Sequence, residues 1–108
     1  MSYTVRILRR AQADADQIYE WIAERSPAGA VRWYSAFRAA AASLDEQHER
    51  CARAPESDSV GFDVRQRFFK TRRGRIYRLL FTIVHGEVRI LRVRGPGQAP
   101  VTNDDLTN

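Results

Sequence analysis

Past Phe62 the spacing of apolar residues switches from a helical period to a two-residue period, and that switch restricts the chain to a segregated α+β architecture. Upstream, Ala11, Ala15, Ile18 and Ile22 recur on one helical face with Tyr19 beside them, and the acids Asp14, Asp16, Glu20 and Glu24 fall mostly on the other. This predicts a helix from about Ala11 to Arg25, with acids in its first turn suiting the positive end of the helix dipole. Ser26-Pro27 restarts the pattern, since Ser caps a helix and Pro fits its first position. The second helix, to about Glu49, carries the stripe Ala30, Trp33, Phe37, Ala40/Ala41 and Leu44, with Tyr34 alongside. Two helices with so short a connection form a hairpin.

Downstream, Val64–Thr71, Ile76–Val84 and Val88–Arg94 read as strands, with turns at Arg73-Gly74 and His85-Gly86 and a stop at Gly95-Pro96-Gly97. Tyr3, Val5 and Ile7 mark an earlier strand, Tyr3–Leu8, expected in the same sheet. The segment from Cys51 to Phe62 reads as the longest irregular loop. The expectation is one domain over residues 1–108, ordered β-α-α-β-β-β, with a helical hairpin against a mainly antiparallel four-stranded sheet. Residues 96–108 are expected to be an irregular tail, docked through Val101 and Leu106.

Charge narrows the function classes. The net charge is +5, and residues 64–95 hold nine arginines and Lys70 against Glu87 alone. Such a concentrated positive source suits polyanions: nucleic acid or an acidic protein segment. Arg65 and Arg67 share a face, as do Arg92 and Arg94, while Arg78 is out of phase with Tyr77 and Leu79. The expected anion- or partner-binding set is Arg65, Arg67, Arg78, Arg92 and Arg94, converging on one surface. Two readings of Arg78 stay open: an anion contact, or an arginine paired with an acid from a helix or the tail. Arg72, Arg73 and Arg75 read as solvated turn charges that widen the electrostatic footprint.

Metal-free RNA cleavage needs a proton acceptor, a proton donor and cations around the phosphate. Arginine supplies only the cations. Lys70 would serve as the base only if neighbouring arginines depressed its pKa; Tyr77, in phase with the core, and His85, at a turn tip, are poorly placed, and for all three a structural role is the better reading. His48 reads as a helix-end cation and Cys51 as a small apolar or inert residue. Trp21, Trp33 and Tyr34 have rings suited to stacking on bases, but at helical spacing the core reading is preferred. With one cysteine and two distant histidines, neither a metal nor a cofactor is expected. No apolar run has the length of a membrane span and Met1–Arg10 lacks a signal-peptide pattern, so a cytoplasmic protein without membrane partners is expected.

Several of these segments resemble the RelE/ParE superfamily of toxins. The resemblance rests on Ala13, Asp16, Ile18 and Trp21-Ile22-Ala23-Glu24, on Ser26-Pro27 with Ala30 and Trp33-Tyr34, on Arg65, on Tyr77-Arg78-Leu79-Leu80-Phe81, and on Val88-Arg89-Ile90-Leu91-Arg92-Val93. It covers roughly residues 3–95. The resemblance implies a type II toxin that inhibits growth and is neutralised by a small acidic antitoxin encoded next to it. It also implies one of two targets: DNA gyrase, as for ParE-like members, or mRNA on the ribosome, cut by RelE-like members as metal-independent endoribonucleases. In the nuclease case Arg78, Lys70 and Arg94 would be the catalytic set. Arg78 matches the family's central-strand arginine; Lys70 is about one position out of register, and no Tyr or His follows in the tail. The reading therefore leans to gyrase, with ribosome-dependent cleavage second and a non-toxic nucleic-acid-binding module third.

Overall fold

The computed structural model describes residues 2–98 and 101–107. Its elements run β1 (Thr4–Ile7), α1 (Arg9–Ala23), α2 (Pro27–Gln47), a 3-10 turn (His48–Arg50), α3 (Ser57–Val60), β2 (Arg65–Phe69), β3 (Tyr77–Val84), β4 (Glu87–Arg94) and α4 (Asn103–Thr107). The strands form one sheet in the order β1-β4-β3-β2. The two hairpin pairings are antiparallel, and β1 lies parallel to β4, a pairing that needs the long connection between them.

The helical hairpin forms where its caps and stripes direct it. Ser26 Oγ accepts the Gly29 N–H at 3.0 Å and Pro27 opens α2. Ala30, Trp33, Phe37, Ala40, Ala41 and Leu44 are all buried, packed with Ala11 and Ala15 of α1 onto Leu79, Phe81, Val88, Ile90 and Val93 of the sheet. Trp33 stacks on Phe37 (centroids 5.7 Å apart) and meets Tyr77 edge-on at 5.4 Å. No helix among the described residues is long and apolar enough to cross a membrane.

A second, smaller core lies on the other face of the sheet. There Ala54, Val64, Leu80, Leu91, Val101 and Leu106 cluster. A β-bulge separates the faces. Phe81 pairs with Ile90 but Leu80 pairs with Arg92, so Leu91 is the extra residue. Strict alternation would have put Arg92 on the face of Ile90; the bulge instead places both Leu91 and Arg92 away from the main core and returns Val93 to it.

Several sequence expectations need correcting. Helix α1 begins at Arg9, so no acid sits in its first turn, and Asp14 is buried (8% exposed) instead of lying on the polar face. The loop before β2 contains α3, and Ala54 N–H bonds Val64 O (2.7 Å) while Gln66 N–H bonds Ala52 O (3.0 Å), lengthening the sheet edge. The tail, expected to be irregular, carries α4; Ala99, Pro100 and Asn108 of that tail, like Met1, lie outside the described residues. His48 is buried, stacked on Tyr3 at 4.2 Å, and donates from Nδ1 to the Leu44 carbonyl at 2.8 Å. Trp21 is 51% exposed.

Gly95 follows β4 where the Tyr77 ring crosses the backbone. A Cβ at Gly95 would lie 2.5 Å from Tyr77 Cε2. Tyr77 is itself wedged against Trp33 and Phe69, so it has little room to retreat. Gly95→Ala is therefore expected to cost about 1–3 kcal/mol by overpacking, read as a lower urea midpoint at unchanged m-value.

Candidate functional site

The arginines expected on one surface are distributed over three places. Arg65 and Arg67 pair with Phe81 and Leu79, so they lie on the helical face of β2. Arg65 Nε meets Asp63 at 3.2 Å and its Nη1 donates to the His48 carbonyl at 3.4 Å. Arg67 Nε is buried with no hydrogen-bond partner among the described residues. Both cations lie near Cys51 and lower its thiol pKa, but burial outweighs them and the thiol stays above its ordinary value.

Arg78 occupies the opposite face, in a cleft of about 490 Å³ lined by Pro55, Glu56, Ser59, Gln66, Phe68 and Val101. Its Nη1 donates to Glu56 Oε1 at 2.8 Å and to Gln66 Oε1 at 3.2 Å, and its Nη2 donates to Glu56 Oε2. The Val101 N–H adds a further bond to Oε2 at 3.3 Å. Glu56 is 5% exposed, and the Arg78 hydrogen bonds hold its carboxyl below the ordinary range. The acid that pairs Arg78 thus comes from the residue capping α3.

Arg92 and Arg94 form the third group, at the end of β4. Strand β1 stops at Ile7, opposite Ile90, so the β1-side edge of β4 is open beyond that point. Asp14 fills the gap from α1. Its Oδ2 accepts the Val93 N–H at 3.0 Å and the Arg92 Nε at 2.7 Å, and its Oδ1 accepts Arg92 Nη2 at 2.9 Å. This fork raises the Arg92 pKa further. Asp105 of α4 completes the group, 3.3 Å from Arg92 Nη1 and 3.7 Å from Arg94 Nη2; its pKa is lowered, first by the Thr102 N–H and in smaller part by these arginines.

The remaining candidates stand apart. Lys70 is exposed beyond the end of β2, and His85 is exposed on the β3–β4 turn at φ 49°. Tyr77 faces the main core, and burial raises its pKa. The acids Asp14, Glu56 and Asp105 were missed as arginine partners by reading the sequence. A signal existed for Asp14, whose spacing from Ala11 and Ile18 puts it on the apolar stripe; Glu56 sits in a segment without any period.

Two further clefts meet at Trp21, Arg75 and Tyr77, one of about 370 Å³ towards Arg92 and Arg94, the other of about 490 Å³ towards Arg32, Arg72 and Arg73. Arg32, Arg72, Arg73 and Arg75 are exposed and form no ion pair among the described residues. On the turn between β2 and β3 and the facing start of α2, basic charge is therefore left without a carboxylate partner among the described residues, unlike that of Arg78, Arg92 and Arg94.

Comparison with curated proteins found no match. Residues 5–100 match the family described as "ParE toxin of type II toxin-antitoxin system, parDE". That span takes in both long helices and every strand from Val5 to Arg94, and the chain belongs to the ParE toxin family of type II toxin–antitoxin systems.

Proposed function

We propose that this toxin arrests growth in the cytoplasm by acting on DNA gyrase, without cleaving RNA, and that a small acidic antitoxin encoded beside it relieves the arrest. Family membership supports the toxin class and implies the antitoxin. The observation that carries the choice of target is the closed Arg78–Glu56 pair. Both carboxylate oxygens of Glu56 are taken, and its lowered pKa makes it a weak proton acceptor at neutral pH. None of the described residues lining that cleft is a Tyr, His or Lys able to protonate a leaving oxygen. His85 sits past the far end of β3, about 23 Å along the strand from Arg78. Arg94 lies beside two carboxylates, 4.0 Å from Asp14 and 3.7 Å from Asp105. A binding mode of action asks for none of these proton transfers.

The test pairs two assays. Purified protein is incubated with gyrase and relaxed plasmid, and separately with ribosomes and mRNA. Loss of supercoiling with intact mRNA is the expected result. Codon-positioned cuts that vanish in Arg78→Ala would overturn it in favour of ribosome-dependent cleavage. Expression in a heterologous host should arrest growth, and co-expression of the adjacent gene should restore it; harmless expression would favour a non-toxic binding module.

A further inference from the structure

We propose that the cleft between the tip of the helical hairpin and the β2–β3 turn binds single-stranded nucleic acid, with phosphates on Arg32, Arg72, Arg73 and Arg75 and a base stacked on Trp21. The cleft encloses about 490 Å³ and has no acid in its lining. No Asp or Glu occurs anywhere from Val64 to Gly86. Its four arginines contrast with Arg78, Arg92 and Arg94: among the described residues no carboxylate neutralises them. Their forked donors stay available for phosphate oxygens.

The turn that carries three of them is closed locally. Gly74 N–H bonds the Thr71 carbonyl at 3.1 Å, and a Cβ on Gly74 would fall 2.2 Å from Thr71 Oγ1. Arg72 and Arg73 sit at the tip of that turn, with Arg75 just beyond it.

Trp21 supplies a second kind of contact. It is half exposed on a helix whose other large apolar residues are covered, and the Arg25 guanidinium lies 3.9 Å from its ring centroid. That cation–π contact orders the ring and leaves the uncovered face for a base. Trp33, which also lines the cleft, is 3% exposed, and its indole N–H has no acceptor among the described residues. The adjoining cleft of about 370 Å³ continues the groove past Tyr77 towards Arg92 and Arg94. An aromatic platform beside a cationic groove selects single strands, whose bases are free to stack. An acidic peptide matches the charge but leaves the ring unused. The inference does not depend on gyrase being the target, and the supercoiling assay is independent of it.

Fluorescence anisotropy of a labelled oligothymidylate of about twelve nucleotides tests the site. Titrations run between about 50 and 300 mM salt, with a duplex of equal length and polyglutamate as competitors. Binding should weaken steeply with salt. The triple variant Arg72→Ala/Arg73→Ala/Arg75→Ala should raise Kd more than about tenfold and reduce the log Kd against log salt slope by about 2. Trp21→Ala should raise Kd about tenfold at unchanged slope, and Trp21→Phe should recover most of it. Arg38→Ala, exposed on α2 outside the cleft, should change neither. Binding that survives the triple variant, indifference to Trp21→Ala, or polyglutamate competing as well as the oligonucleotide would each overturn the proposal.

Discussion

Asp14→Ala is expected to lower the unfolding free energy by about 3–5 kcal/mol. For a domain of this length that is a fall in melting midpoint of roughly 15–30 °C. Arg92 and Asp14 have side chains only 13% and 10% exposed. Their attraction roughly offsets the cost of removing both from water, so the intact pair contributes little net stability. Removing one partner is different. The Arg92 guanidinium would stay buried with only the longer Asp105 contact at 3.3 Å, and the Val93 N–H would lose its acceptor at the open edge of β4. Asp14→Asn keeps an acceptor for Val93 but not the charge, and should fall about midway. Calorimetry of the three proteins decides the matter. A loss below about 1 kcal/mol for alanine would mean that the pair behaves like an exposed one.

Acid should weaken the fold through Glu56. Its carboxyl titrates below the ordinary range in the folded chain, so on acidification the unfolded chain takes up its proton first. The stabilisation is fully present above the ordinary carboxylate pKa of about 4.3 and is lost as pH falls from there towards the lowered folded value. Asp105, also lowered, adds in the same direction. Urea unfolding at pH 7, 5 and 3.5 should therefore show a steeper decline for the parent than for Glu56→Gln, which cannot titrate there. At neutral pH, Glu56→Ala should cost about 2–4 kcal/mol, somewhat less than Asp14→Ala because Arg78 retains 21% side-chain exposure and Gln66 as an acceptor. Parallel pH curves for parent and Glu56→Gln would refute the assignment.

The two long helices and the four strands were legible because each follows from a local rule, whereas the short α3 and α4 carry no such pattern. The Ser26-Pro27 cap, the two-residue period of Tyr77 to Ile83 and the His85-Gly86 turn need no knowledge of the rest of the chain. Even the bulge leaves a trace, since Ile90, Leu91 and Val93 cannot all obey strict alternation around Arg92. The arginines were harder because a side chain's partner is a tertiary fact. Arg78 meets Glu56 only after α3 folds under the sheet, and Arg92 meets Asp14 only because β1 is short. Charge density located the basic half of the chain but could not separate neutralised cations from available ones. In the folded chain Arg78 and Arg92 are neutralised, while Arg72, Arg73 and Arg75 have no ion pair among the described residues. Trp21 was misread as core because helical spacing identifies a face without saying how far along the helix its cover extends.

The parallel join of β1 to β4 has a bearing on synthesis. β1 is synthesised well before β4 and has no sheet partner until β4 follows, so a long loop must close before that edge of the sheet exists. A message cut short before the codon for Glu87 yields neither that edge nor the backbone that Asp14 completes.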